Sequence, residues 1–236
     1  MQFSTPLIPA RLIRRYKRFL ADCRLEDGRE VVAHCANPGS MMGLAIEGSK
    51  IWLEPNDDPK KKLKFGWRLV DHENGHFTGV DTSVPNRALK EALEKREIAA
   101  LSDYSVVRPE VKYGKNSRID FLLSGSGLKD AWVEVKSVTL SRQAGLAEFP
   151  DSVTSRGAKH MVELAKMAEA GDRAIVLFLV QRTDCDRMVP AADIDPNYAK
   201  ALGDAVAAGV EVIALSTFIS PKGVEIAGEI PFSLSV

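Results

Sequence analysis

The chain has 236 residues, 45% hydrophobic and 27% charged, the make-up of a globular protein with room for one large domain or two small ones. Lys plus Arg and Asp plus Glu both number 32, which excludes a whole-molecule field for nucleic acid and leaves any phosphate recognition to local patches. Three dispersed cysteines, Cys23, Cys35 and Cys185, exclude a disulfide framework; with no signal-peptide core at the start and no apolar run near the roughly 18 residues of a membrane span, the expectation is a cytoplasmic protein without a membrane partner.

In chain order, the first notable stretch interleaves cations with aromatics: Arg14, Arg15, Tyr16, Lys17, Arg18 and Phe19. On a strand, Arg14, Tyr16 and Arg18 share one face and Arg15, Lys17 and Phe19 the other. Alternate side chains would then stack a base and hold a phosphate; the competing reading is a strand whose aromatics pack inward and whose cations are merely solvated. Short strands follow at 31–35, 50–53, 64–70 and 76–80, the last two flanking Asn74-Gly75. Five or so short strands at this spacing predict a small barrel of the OB kind. After the first of them comes His34-Cys35-Ala36-Asn37-Pro38-Gly39-Ser40. It reads as a polar loop near DNA with Asn37 and Ser40 as donors. A zinc site from His34 and Cys35 is set aside, because adjacent strand residues face opposite ways. His72 and His76 straddle a turn rather than a helix and are set aside too.

Near residue 83 the texture changes, which divides the chain into 1–82 and 83–236. Asn86 reads as the N-cap of a helix from Arg87 to about Ala100, with Leu89, Ala92, Leu93 and Ala100 on one stripe. Strands are expected at 111–113, 118–123 and 131–136, the last two joined by the turn 124–127. A helix from about 156 to 170 stops at Gly171. Then come a buried strand at 173–180, a helix with Asp195 as N-cap and Pro196 in its first position, a stop at Gly209 and a strand at 210–215. Helices alternating with strands argue α/β.

Chemistry concentrates in two of these strands. Asp120 interrupts an apolar run, and Glu134 and Lys136 share one face of the next strand while Val133 and Val135 share the other. Two carboxylates and an ammonium on adjacent strands suit a divalent cation, Mg²⁺ or Mn²⁺, and an attacked phosphodiester. The Val135 carbonyl is a further candidate ligand. The alternative is that Lys136 simply pairs with one of the acids at a sheet edge. Further on, Arg156, Lys159 and His160 fall in the first turns of a helix, whose N-terminus favours anions; they would grip a phosphate beside the cation, or form an ordinary basic surface.

The order helix, strand, Asp strand, Glu-x-Lys strand, helix, strand over residues 84–215 resembles the PD-(D/E)XK nuclease superfamily. That resemblance implies Asp120 and Glu134 as metal-binding acids, Lys136 as the motif lysine and Glu91 as the helix carboxylate, with Ile119 in place of the Pro that usually precedes the Asp. A solvated surface glutamate is the alternative for Glu91. Nearly the whole chain resembles the sugar fermentation stimulation protein A family, through Leu12 to Asp22, His34 to Met41, Ser117 to Phe121, Val133 to Leu140 and Phe149 to His160. The family implies an N-terminal OB-like barrel at 1–82 and a nuclease-like α/β domain with a mixed central sheet at 83–236. It also implies DNA binding without strong sequence preference and a link to the regulation of sugar (maltose) metabolism. The expected activity is phosphodiester hydrolysis of DNA, with RNA as a second substrate class; the rival readings are a non-catalytic DNA-binding regulator and a small-molecule phosphodiesterase.

Overall fold

The computed structural model describes residues 1–113 and 117–235. The N-terminal part holds β1 (Ile8–Tyr16), β2 (Leu20–Leu25), β3 (Glu30–Cys35), β4 (Lys50–Pro55), β5 (Phe65–Asp71) and β6 (Phe77–Gly79), in the order β3-β2-β1-β4-β5-β6. A parallel pairing of β3 with β5 closes five of these strands into an OB barrel. Period-two alternation supplies its core: Leu12, Cys23, Ala33, Ile51 and Leu53 point inward around the fully buried Trp67. The run from Arg14 to Phe19 is not one strand. β1 ends at Tyr16, and Lys17 and Arg18 turn the chain with φ of 46° and 64°. Its register against β2 already shifts between Leu12 and Arg14, so the two-faced pattern expected of an unbroken strand does not hold.

The C-terminal part is built on β7 (Val106–Tyr113), β8 (Ser117–Ser124), β9 (Ala131–Val138), β12 (Arg173–Val180), β14 (Glu211–Ser220) and β15 (Gly223–Glu229). They form a mixed sheet ordered β15-β14-β12-β9-β8-β7, with β12 parallel to both β9 and β14. β12 explains its own uninterrupted apolar sequence, since it is covered on both faces. Ala174, Val176, Phe178 and Val180 face a core shared with α2 (Ser155–Glu169) and α3 (Pro196–Ala207); Ile175, Leu177 and Leu179 face a core shared with α1 (Val84–Glu94). A small sheet of β10 (Leu140–Gln143), β11 (Gly145–Phe149) and β13 (Cys185–Pro190) flanks this body and was not anticipated. No described helix is long and apolar enough to cross a membrane.

The helix starts and stops are legible in most cases. The Thr154 hydroxyl accepts from the Gly157 N–H and an Asp195 carboxylate oxygen accepts from the Tyr198 N–H, while Gly171 and Gly209 follow their helices at φ of 94° and 99°. α1 differs. It begins at Val84 with Ser83 at the cap position, so Asn86 lies inside the first turn. It ends at Glu94, and Arg96 turns at φ of 60°, so Ala100 belongs to a separate 3₁₀ turn, Ala99–Leu101.

The expected division at 82/83 falls between β6 and α1, and several contacts cross it. Gly79 N–H donates to the Gln181 carbonyl and Thr183 N–H to the Phe77 carbonyl. Residues 1–3 run alongside the start of β15, with Met1 and Val224 exchanging backbone hydrogen bonds. Arg68 on β5 bonds Glu54 on β4 and Asp81 before α1, both at 2.7 Å. Burial raises the Glu54 carboxyl, and the bond and charge of Arg68 more than offset this, leaving it below its ordinary 4.5. Both acids are buried, and stranding a buried charge costs about 3 kcal/mol or more, so Arg68→Met should destabilise by about that much in urea unfolding at neutral pH. A depressed folded pKa stabilises above the ordinary value and loses that effect as pH falls through the depressed one. The gap between wild type and R68M should therefore narrow in acid.

Candidate functional site

β8 and β9 are paired through Leu123–Ala131, Leu122–Trp132 and Phe121–Val133, and there the ladder stops. The next residue on β8 is Asp120. Its Oδ2 accepts from the Val135 N–H at 2.7 Å, so the carboxylate takes the place of a backbone acceptor where the strands part. The facing of side chains breaks at the same point: Ile119 packs in the core under α2 and α3, Phe121 in the core under α1. Asp120 Oδ1 accepts from Asn86 Nδ2 at 2.7 Å. Asn86, read from sequence as a helix cap, is thus a site residue; an amide at a helix start gives no sequence signal that separates the two roles.

Glu134 is buried on β9. Its Oε1 accepts from Lys136 Nζ at 2.8 Å and pairs with His160 Nδ1 on α2. Its Oε2 is buried with no hydrogen-bond partner among the described residues. Burial raises this carboxyl, but the hydrogen bond of His160 and the charge of Lys136 outweigh it and leave it below its ordinary value. Asp120 moves the other way: burial first, then the negative charge of Glu134, push it from 3.8 up to about 6. Two acids close enough to repel, one with an orphaned oxygen, form a donor set that fits a hard cation. Among the described residues no three His, Cys, Asp or Glu side chains come together as a metal-binding group. A cation here would have Asp120, Glu134 and the Val135 carbonyl, completed by water and substrate phosphate, which is the usual way Mg²⁺ is held.

Glu91 does not join these acids. It lies about 140° around α1 from Asn86, the residue that reaches β8. There it pairs with Lys95 at 2.7 Å and the Met1 amine at 3.3 Å, beside a separate pocket.

The acids open into a cleft of about 1010 Å³ walled by both domains. Arg18, Asn37, Ser40, Arg156 and His160 border it, as do Arg15 and the unanticipated Arg118. Several of the expected DNA contacts have another job there. The Arg15 guanidinium donates to the carbonyls of Arg18, Asn37, Gly39 and Ser40. Asn37 Nδ2 donates to the Val80 carbonyl, and its Oδ1 accepts from the Gly39 N–H. Ser40 Oγ donates to the Asp151 carbonyl, and Asp151 Oδ2 accepts from the Met41 N–H. This loop straps the barrel to the segment before α2. It approaches so closely that a Cβ on Gly39 would lie 2.5 Å from the Asp151 carboxylate. Arg14 bonds Asp22 and covers the Tyr16 ring at 4.9 Å, and with Tyr16, Lys17 and Lys159 it lies outside the cleft's walls. His160 is buried against Glu134 rather than turned toward a phosphate.

Residues 13–80 match a family model described as the SfsA N-terminal OB domain, and residues 83–223 one described as the sugar fermentation stimulation protein RE domain. The chain is 78% identical to a sugar fermentation stimulation protein homolog of Ruegeria pomeroyi, over 96% of this chain and 99% of that one. It is 72% identical to the homolog of Roseobacter denitrificans, over 99% and 100%. Among solved structures it resembles Pyrococcus furiosus SfsA in complex with Ca²⁺, with a TM-score of 0.89 and 29% identity over 99% of this chain and 98% of that one.

In chelator-treated protein the Asp120 carboxyl should titrate by ¹³C NMR with a midpoint near 6, and Glu134→Gln should lower that midpoint, with burial, the larger cause, still holding it above 3.8. Because the folded value lies above the ordinary one, this group favours the fold in acid. Its contribution should fall as pH rises from about 3.8 to about 6. The stability of metal-free wild type relative to Asp120→Asn, measured in urea, should decline over that window.

Proposed function

The chain belongs to the sugar fermentation stimulation protein family, and on that premise we propose that it is a cytoplasmic DNA-binding protein of low sequence specificity with a divalent-metal-dependent phosphodiester-hydrolysing site. The observation that carries this reading is the buried Glu134 Oε2, without a partner among the described residues, beside an acid held near pKa 6 on the wall of an accessible cleft. The relative solved with Ca²⁺ supports the cation class, since Ca²⁺, Mg²⁺ and Mn²⁺ all prefer oxygen donors. The relatives' shared name supports a role in sugar fermentation, which we extend to regulation of sugar (maltose) metabolism. Buried thiols at Cys23, Cys35 and Cys185 suit a reducing compartment.

Asp120, Glu134 and the Val135 carbonyl would hold Mg²⁺ or Mn²⁺. Such an ion supplies Lewis acidity and an activated water for in-line attack on phosphorus. Lys136, fixed by Glu134, places an ammonium where negative charge accumulates on the phosphoryl oxygens. Arg18 at the barrel's hairpin tip, Arg118 on β8 and Arg156 on α2 supply guanidinium groups from three sides of the cleft to hold the backbone. Contacts of this kind carry no base information, which accounts for low sequence specificity and allows RNA as well as DNA.

A second reading, a DNA-binding regulator without hydrolysis, draws on the occupation of Glu134 Oε1 by Lys136 and His160. Purified protein with Mn²⁺ should nick DNA, and Lys136→Ala should reduce that rate by about 10²–10³-fold while leaving DNA affinity near wild type. DNA affinity should fall steeply with salt, as phosphate neutralisation requires. Wild-type protein that nicks neither DNA nor RNA at saturating Mn²⁺ would leave the regulator as the function.

A further inference from the structure

We infer that His160 is a positioning residue, which together with Lys136 engages one oxygen of Glu134 so that the other is presented alone to a divalent cation. This rests on the reading of Asp120 and Glu134 as a cation site. The helix cap at Thr154 starts α2 so that Arg156 and His160, four residues apart, lie on one face. Arg156 Nε sits 3.3 Å from His160 Nε2. A guanidinium N–H can only donate, so Nε2 is the acceptor and the ring carries its hydrogen on Nδ1. That hydrogen faces Glu134 Oε1, which as a carboxylate oxygen can only accept. Lys136 Nζ also lies 3.5 Å from Nδ1, but its hydrogen bond goes to Oε1 at the shorter 2.8 Å. Arg156 therefore selects the tautomer that donates to the carboxylate.

The consequence for Glu134 is asymmetric. Among the described residues Oε1 has two donors, Lys136 at 2.8 Å and His160, and Oε2 has none while being buried. Lys136 hangs from the same strand on a flexible stem; His160 comes from a packed helix and its ring is planar and buried. Of the two donors, only the imidazole fixes the plane of the carboxylate relative to the body of the domain. An outer donor that orients a carboxylate ligand in this way strengthens cation binding by preorganising it. Sequence reasoning put His160 on a phosphate because it sits beside Arg156 and Lys159. Its burial against β9 gives it this different role.

The test is Mn²⁺ titration calorimetry on chelator-stripped full-length protein, comparing wild type with Glu134→Gln, His160→Ala and His160→Asn. His160→Ala should weaken Mn²⁺ by about 10–100-fold. His160→Asn, whose amide nitrogen stands where Nδ1 stands, should recover most of that loss. Metal-free H160A and H160N should unfold at similar urea concentrations, which separates positioning from a general structural defect. If E134Q abolishes binding and H160A keeps wild-type affinity, the inference about His160 is overturned while the acid site stands. If E134Q itself binds Mn²⁺ like wild type, the cation reading fails, and the inference with it. Should H160A not fold, His160→Gln replaces it: Asn must bind more tightly than Gln, which cannot place its nitrogen at the Nδ1 position, and equal affinities overturn the proposal.

Discussion

The architecture of the cleft depends on one local event, the parting of β8 and β9 after the Phe121–Val133 pair. Up to that point the two strands satisfy each other's backbone groups. Beyond it the Val135 N–H needs an acceptor, and the Asp120 carboxylate provides one. β9 continues to Val138 with its other edge still paired to β12, so Glu134 and Lys136 stay rigidly placed while the opening beside them is left for solvent and substrate. Each acid is then held by a different helix, Asp120 by Asn86 of α1 and Glu134 by His160 of α2. A sheet that stayed zipped would bury these charges without access; one that parted earlier would lose the bond that fixes Asp120.

The second domain matters because it forms the opposite wall. Its contribution is less a field of free cations than a braced loop. Arg15 gathers four carbonyls, Asn37 ties the loop to Val80, and Ser40 and Met41 dock on Asp151 ahead of α2. The same segment that carries Arg156 and His160 to the acids is therefore anchored to the barrel. Motion of one domain against the other would strain this docking, which gives the cleft a defined width and links the barrel mechanically to the chemistry.

Much of the architecture was legible. β12 announced itself as a buried strand, Asp195, Gly171 and Gly209 marked helix ends through local hydrogen bonding and left-handed backbone, and the Asp120, Glu134, Lys136 triplet stood out because polar residues interrupted apolar strands. What escaped was set by long-range geometry. Periodicity could not show that Lys17 and Arg18 turn, because cationic residues in a left-handed turn look like any others. Nor could it separate Arg15 as a brace from Arg18 as a cleft residue one turn away. Glu91 followed a family pattern onto the wrong side of α1, because the helix begins three residues before expected and its first turn, not its second, meets β8. His160 and Asn86 lie 26 and 34 residues from their partners, and only the packed helices bring them together.

The claim on which the account turns is that Asp120 and Glu134 jointly hold a divalent cation facing the cleft. Anomalous diffraction from crystals soaked in Mn²⁺ tests it directly. The account predicts a strong peak bonded to an Asp120 oxygen and to Glu134 Oε2, with Oε1 still held by Lys136 and His160. A saturating soak that leaves these acids without a peak, or places the ion elsewhere with Oε2 unbound, would contradict it.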